Sequence, residues 1–245
     1  MGAYFVDQNC RTLRTGAEAV LDLQGSHLER KTVQSSLMRG RKQGVVEEIE
    51  LTDGNMLRFE QFHAETTHGG KPQLQHVFRG QPSRRCRAFV FRTFGGQWLG
   101  AMTLSPRGNL EMHTELMLRR RNAPGDIMEC LVAGIFETLR SENMGEWSLG
   151  EVPFMTLTQG STDLLTPMEQ LMVGIVSRCK HAYDFEGLYR FKNKFSPKWR
   201  PITLCVSEEP TTLLLTELAV AMGFAGLLVH ESLDLLGQSI RFGFK

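Results

Sequence analysis

The order of segments along this chain predicts an α/β domain with a mixed sheet. Two observations carry that reading. Three strand-like runs follow one another with turn signals between them, and a helical stripe, a strand, a helix and a strand come after them. The 245-residue length and 41% hydrophobic content are enough to bury a sizeable core in one large domain or two small ones.

The first strand is expected over residues 45–51, where apolar and polar side chains alternate. Residues 66–87 carry His68, Gly69, Gly70, Lys71, His76, Pro82 and Ser83 and read as a flap-like loop. Residues 87–94, 98–105 and 110–118 then form a predicted antiparallel meander, with Gly95-Gly96 and Pro106-Arg107-Gly108 as its turns. Met128, Leu131, Val132, Ile135, Phe136 and Leu139 make a helical stripe over residues 127–140, with Asp126 as its expected cap. Residues 147–154 return as a short strand and 168–179 as a helix. A last strand is expected at 202–207. A buried helix at 211–222 follows, with Leu214, Leu218 and Met222 on one face. This order is that of a GNAT-type acyltransferase fold.

Before the last strand, residues 185–201 read FEGLYRFKNKFSPKWRP, which interleaves Arg190, Lys192, Lys194, Lys198 and Arg200 with Phe185, Tyr189, Phe191, Phe195 and Trp199. At helical period Leu188, Phe191 and Phe195 share one face, Arg190 and Lys194 another, and Lys192 lies beside the apolar edge. Pro197 ends the helix and Lys198, Trp199 and Arg200 continue extended. A cationic face anchored by an aromatic one suits a phosphate-rich ligand or an anionic transition state.

The formal charge of +1 leaves affinity for nucleic acid to local patches at 39–42, 84–87, 119–121 and 190–200. Cys10, Cys86, Cys130, Cys179 and Cys205 are odd in number and free of CxxC spacing, which argues against a disulfide framework or zinc site and for a reducing cytoplasm. His63, His68, His76 and His113 form no HExxH pattern, and no GxSxG elbow or Walker loop is present, so no metal site is expected. The N-terminus has no signal-peptide pattern, no window reaches eighteen apolar residues, and Val6 stands where a myristoylation signal needs Ser or Thr.

Four motifs in fixed order resemble one family, the bacterial phosphatidylglycerol lysyltransferases and alanyl-phosphatidylglycerol synthases, also called DUF2156. The 191–199 segment is similar to FKxKFxPxW, and ELMLRRRNAPGDIMECL at 115–131 to DLMRRxPxAPxGxMDFL. WSLGEVPF at 147–154 resembles FSLGMAPL, and residues 16–44 resemble GEEAxxDLxxFSLxGKxxxxLRxxxNRxxxxG. The resemblance implies a tandem pair of GNAT-like lobes. Residues 1–44 would hold a remnant of the first lobe and a connecting helix, 45–208 a complete catalytic lobe, and 209–245 a C-terminal helix and tail. A second copy or a separate chain would then cover the shortened first lobe.

The resemblance further implies transfer of an amino acid from aminoacyl-tRNA to an anionic membrane phospholipid such as phosphatidylglycerol, with no cofactor. The protein would be cytoplasmic, at the inner face of the membrane. RRRNAPGD at 119–126 lacks the glycines of a coenzyme A pyrophosphate loop, and Pro124 removes an amide from it. Glu115 stands at the family's motif acid, to hold the aminoacyl ammonium or act as a base. Lys192 and Lys194 align with its two lysines, to bind the tRNA acceptor end or stabilise the oxyanion. Arg190, Ser148, Gly150, Lys198 and Trp199 are the candidate substrate-binding residues. Anchoring on Ala123 and Pro124 puts Leu118 at the family's first arginine, so either Arg119 replaces it through a strand bulge or a catalytic cation is lost. Two other readings stay open: an N-acyltransferase of the same fold acting on a soluble amine, and a non-catalytic tRNA- or lipid-binding module.

Overall fold

The three-strand meander expected from the turn signals forms the middle of one sheet. The computed structural model describes residues 10–69, 82–153, 184–209 and 211–221, with Met155, Thr166, Glu169, Gln170, Val173, Gly223, Gly226, Val229 and His230. In chain order the elements used below are β1 (Arg11–Asp22), α1 (Lys31–Gly40), β2 (Gly44–Ile49), α2 (Asp53–Ala64), β3 (Arg87–Thr93), β4 (Trp98–Arg107), β5 (Glu111–Arg119), α3 (Asp126–Ser141), β6 (Glu146–Pro153), α4 (Phe185–Asn193), β7 (Lys198–Val206) and α5 (Thr212–Ala221). The helix expected at 168–179 lies almost wholly outside the described residues, as do residues 70–81 of the flap expected at 66–87.

The sheet order is β2-β3-β4-β5-β6-β1-β7, with β5 and β6 parallel and the other pairs antiparallel. This mixed sheet with its α3 crossover is the GNAT-type architecture that the element order predicts. Gly96 and Gly108 take φ of +88° and +69° in the two meander turns, a backbone region costly for other residues. Alternation along β3 divides the core. Phe89 and Phe91 join Leu37, Met102, Leu131, Phe136 and Trp147 on the face covered by α1 and α3, whereas Ala88 and Val90 join Phe59, Phe62, Trp98 and Leu118 on the face covered by α2. The α1–α3 contact is close: a Cβ on Gly40 would stand 2.3 Å from Cys130 Sγ.

Three expectations change. Residues 10–44 do not stand apart from the 45–208 lobe, because β1 pairs with both β6 and β7 inside the sheet and α1 packs on α3. The run GAEAVLD of β1 shows no clean alternation because side chains on both of its faces are buried. Asp126 is the first residue of α3 rather than its cap, since its carboxylate takes two 2.7 Å hydrogen bonds from Arg39, and the N-cap position is Gly125. Helix α5 is not buried: Leu213 and Val220 are 67% and 59% exposed, and none of its described side chains joins the cores just described. An apolar sequence calls for a partner surface, and both faces of the sheet already have theirs. No helix among the described residues is long and apolar enough to cross a membrane.

Candidate functional site

The site forms where β5 and β6 part. They pair in parallel only from Glu111–Glu146 to His113–Ser148. Two bulges steer the strands at that point. On β5, Leu104 faces Thr114 and Thr103 faces Leu116, which leaves Glu115 as the extra residue. On β6, Val20 faces Ser148 and Glu18 faces Glu151, so Leu149 and Gly150 together oppose Ala19. A bulge bends its strand and raises the local twist. Gly150, at φ +84°, absorbs the bend, and a Cβ there would lie 3.6 Å from both Thr114 O and the Lys192 ammonium.

Helix α4 delivers Lys192 to this gap. Phe195, fully buried, and Phe191 anchor its end in the α3-side core, while Leu188 and Tyr189 pack beside Val152. Asp184 starts the helix by accepting the Gly187 amide at 2.7 Å. Lys192 is therefore 2% exposed, and its Nζ donates to Glu151 O at 2.8 Å. Burial penalises the charged form and lowers its pKa to about 7, against the pull of Glu151 and Glu18. Such a lysine holds or releases a proton near neutrality.

Beside the gap lies a polar network that composition did not reveal. Glu18, 3% exposed, accepts from Ser148 Oγ at 2.6 Å, from Arg107 Nη1 at 2.8 Å, and from Arg200 Nε and Nη2 at 2.9 and 2.7 Å. Arg200 also reaches Glu111 at 2.6 Å. His113 Nδ1 stands 3.3 Å from Glu18, 3.0 Å from Arg107 and 3.2 Å from Ser148, so its protonation state decides which of them it serves. Burial alone would raise the Glu18 carboxyl. Hydrogen bonds from His113, Ser148 and Arg200 and the charge of Arg107 outweigh it and hold that carboxyl well below the usual carboxylate range. Glu151 goes the other way, raised by loss of solvent around its carboxyl and then by Glu18, although the residue's outer surface stays open to solvent.

The candidates read from the sequence separate accordingly. Lys192, Ser148 and Gly150 meet at the gap, and Ser148 Oγ accepts the Gly150 amide at 3.0 Å. Glu115 takes the Ser105 hydroxyl from the neighbouring strand. Arg119 lies four residues further along β5, roughly 13 Å at strand rise. The register is regular there, with Leu118 opposite Ala101 and Arg119 opposite Gly100, so the bulge that would put Arg119 in the place of Leu118 is absent. Leu118 itself is 1% exposed in the α2-side core. Lys194 pairs at 2.6 Å with Glu129, whose side chain is 3% exposed. Arg190 and Lys198 are exposed. Trp199 stacks on Tyr189 at 5.2 Å and packs rather than standing free.

Glu18, Arg107, Glu111, His113, Glu151 and Arg200 escaped the sequence reading, because strands far apart in sequence bring them together. One signal existed: Glu18 is a lone charge inside the small and apolar run GAEAV. The α3 N-terminus, where a GNAT enzyme would cradle pyrophosphate, instead carries Asp126, bound to Arg39, and the buried Glu129. These ion-paired carboxylates occupy the first turn that a phosphate would use.

The fold has close counterparts. It matches the structure of L-PGS from Bacillus licheniformis with a TM-score of 0.71 at 22% identity, over 91% of this chain and 70% of that one. It matches the C-terminal domain (DUF2156) of a putative lysylphosphatidylglycerol synthetase from Agrobacterium fabrum at 0.70 and 22%, over 90% and 69%. In sequence it is 29% identical over 205 residues to the lysylphosphatidylglycerol biosynthesis bifunctional protein LysX of Nocardia farcinica, which covers 77% of this chain and 18% of that protein. It is also 29% identical over 90 residues to a phosphatidylglycerol lysyltransferase of Bacillus subtilis, 37% of this chain and 10% of that protein. The chain thus spans less than a fifth of the length of these two relatives. The model of the family described as phosphatidylglycerol lysyltransferase, C-terminal, matches residues 2–206, and the chain belongs to that family.

Proposed function

We propose that this chain transfers an aminoacyl group from aminoacyl-tRNA to a hydroxyl of phosphatidylglycerol or a similar anionic lipid, at the inner face of the membrane. The observation that carries the reading is the buried Lys192, with a pKa near 7, at the gap between β5 and β6. In the transfer, the lipid hydroxyl oxygen attacks the ester carbonyl and a tetrahedral oxyanion forms. The ester bond to the tRNA ribose then breaks. Lys192 takes the proton from the attacking hydroxyl and returns it to the departing ribose oxygen, a role that calls for a pKa close to the working pH. One ester replaces another, so the reaction calls for no organic cofactor and no energy source beyond the charged tRNA.

Two features support this donor over coenzyme A: the carboxylates at the α3 N-terminus, and Pro124 in the junction before it. Lys194 serves the fold in this reading, since its ammonium neutralises Glu129. The test is incubation of the purified protein with charged tRNAs and phosphatidylglycerol vesicles. Labelled aminoacyl-lipid is expected, with a rate that rises as the pH passes through about 7 and Lys192 loses its proton. Absence of labelled lipid with every aminoacyl-tRNA would sink the transferase reading, and saturable coenzyme A binding would favour an N-acyltransferase.

A further inference from the structure

We propose that Glu151 determines which group this site accepts: its carboxylate receives a primary ammonium of the transferred aminoacyl moiety at the mouth of the β5–β6 gap. The inference rests on the transferase reading above.

Glu18 and Glu151 are direct cross-strand partners on β1 and β6. Like charges directly opposite each other destabilise a sheet. Only one of the two is neutralised. Arg107 and Arg200 are spent on Glu18 and Glu111, and Lys192 gives its hydrogen bond to the backbone carbonyl of Glu151. Among the described residues no side chain hydrogen-bonds to the Glu151 carboxylate. Among the described residues the charges of His113, Lys192 and Arg107 act on the Glu151 carboxylate but none of them donates to it, and it belongs to the partner that is open to solvent. Glu115, the other carboxylate considered for an ammonium, already accepts the Ser105 hydroxyl.

The sequence isolates the same residue. WSLGEVPF carries Glu151 where the pattern FSLGMAPL that it resembles has methionine. Leu149 and Val152, its neighbours on β6, supply the buried packing, so the fold makes no demand for a carboxylate at 151. A thioether offers nothing to a cation, whereas a partly desolvated carboxylate offers a charge-assisted hydrogen bond and penalises neutral competitors. The carbonyl of the same residue is 2.8 Å from Lys192 Nζ, so a group held by Glu151 is within a side chain's length of the amine that moves the proton.

The ammonium has two sources, the α-amine or a basic side chain. Four soluble probes separate them: lysinamide, norleucinamide, Nα-acetyl-lysinamide and Nα-acetyl-norleucinamide, titrated by NMR into the intact protein and into Glu151→Gln. Lysinamide should bind about tenfold more weakly to the variant, as expected for one charge-assisted contact. Norleucinamide weakened alongside it assigns the α-amine, and Nα-acetyl-lysinamide weakened alongside it assigns the side chain. Nα-acetyl-norleucinamide should not change. Glu151→Met, which restores the pattern residue, should reproduce the loss, and thermal unfolding should show both variants at least as stable as the parent because a like-charge pair is removed. Equal binding of all four probes to parent and variants, or no binding to any, overturns the proposal. Glu151-dependent binding without lipid product would keep the ammonium site and discard the transferase reading instead.

Discussion

Lys192 within α4 and Lys194 at its C-cap stand two residues apart and are treated in opposite ways. Lys192 is sealed into the gap between β5 and β6, where a backbone carbonyl, Gly150 and two like-charged glutamates surround an amine that burial drives toward neutrality. Lys194 faces the start of α3 and forms an ion pair with Oε1 of the buried Glu129, whose Oε2 accepts no hydrogen bond among the described residues. The difference teaches that one lysine carries the cost of its own burial, whereas the other, exposed, offsets the cost of burying its partner carboxylate. A cost left standing is useful only where the proton has to move.

The comparison breaks first at Lys192. Lys192→Met should lower the transfer rate by about 100-fold or more, the usual worth of a positioned acid–base group. Its stability at pH 6 should stay level or rise by about 1–3 kcal/mol, because a buried charge is replaced by a side chain of similar volume. The folded protein holds Lys192 near pKa 7 against 10.5 for the free side chain, so the unfolded chain binds the extra proton between those values. Parent stability should therefore rise from pH 7 to pH 10.5 by a step that Lys192→Met lacks, as read by denaturant titration at each pH.

Glu18→Gln should come next, at about 2–3 kcal/mol lost at pH 7, since the buried carboxylate that accepts from Ser148, Arg107 and Arg200 would lose its charge, while the two partly exposed arginines keep Glu111. The carboxyl's depressed pKa means that its contribution is present above about pH 4.5 and disappears as the pH falls below it, so the variant's acid unfolding curve should be flatter over that range. Lys194→Met should cost about 2–3 kcal/mol by stranding Glu129, with the transfer rate per folded molecule within about threefold of the parent. A rate loss comparable to that of Lys192→Met would erase the distinction between the two lysines. Gly150→Ala sharpens the picture on a smaller scale: the left-handed backbone should cost about 1–2 kcal/mol, and the lost fit beside Lys192 should show as a lower kcat. Arg190→Ala, on the exposed side of α4, should change stability by less than about 0.5 kcal/mol.

Regular alternation and turn chemistry made the meander legible, because Phe89 and Phe91 on one face and Ala88 and Val90 on the other satisfy period two with no help from the rest of the chain. The stripe from Met128 to Leu139 made α3 legible in the same way. Strand β1 was missed because both of its faces are covered and alternation is lost. The composition of helix α5 asks for burial, a preference that names no partner, and the helix is exposed. In the site, the FKNKF motif pointed to Lys192 and Lys194 alike. Only packing showed that one of them is the buried amine and the other an ion-pair member. Sequence spacing leaves open whether Arg119 replaces the family's first arginine through a bulge or a catalytic cation is lost, and the strand register is regular there, with Leu118 in the core.

By itself the sequence determined the α/β class, the order of most elements, the family and the helix that brings a lysine to the site, since each is a matter of local period or contiguous motif. The tertiary structure decided the charge state of that lysine, the Glu18 network and the placing of Glu151 directly opposite Glu18. Those properties depend on groups that β1, β5, β6, β7 and α4 bring within a few ångströms of one another across more than 180 positions of chain. Desolvation and Coulomb energies follow distance in space, on which neighbours in sequence are silent.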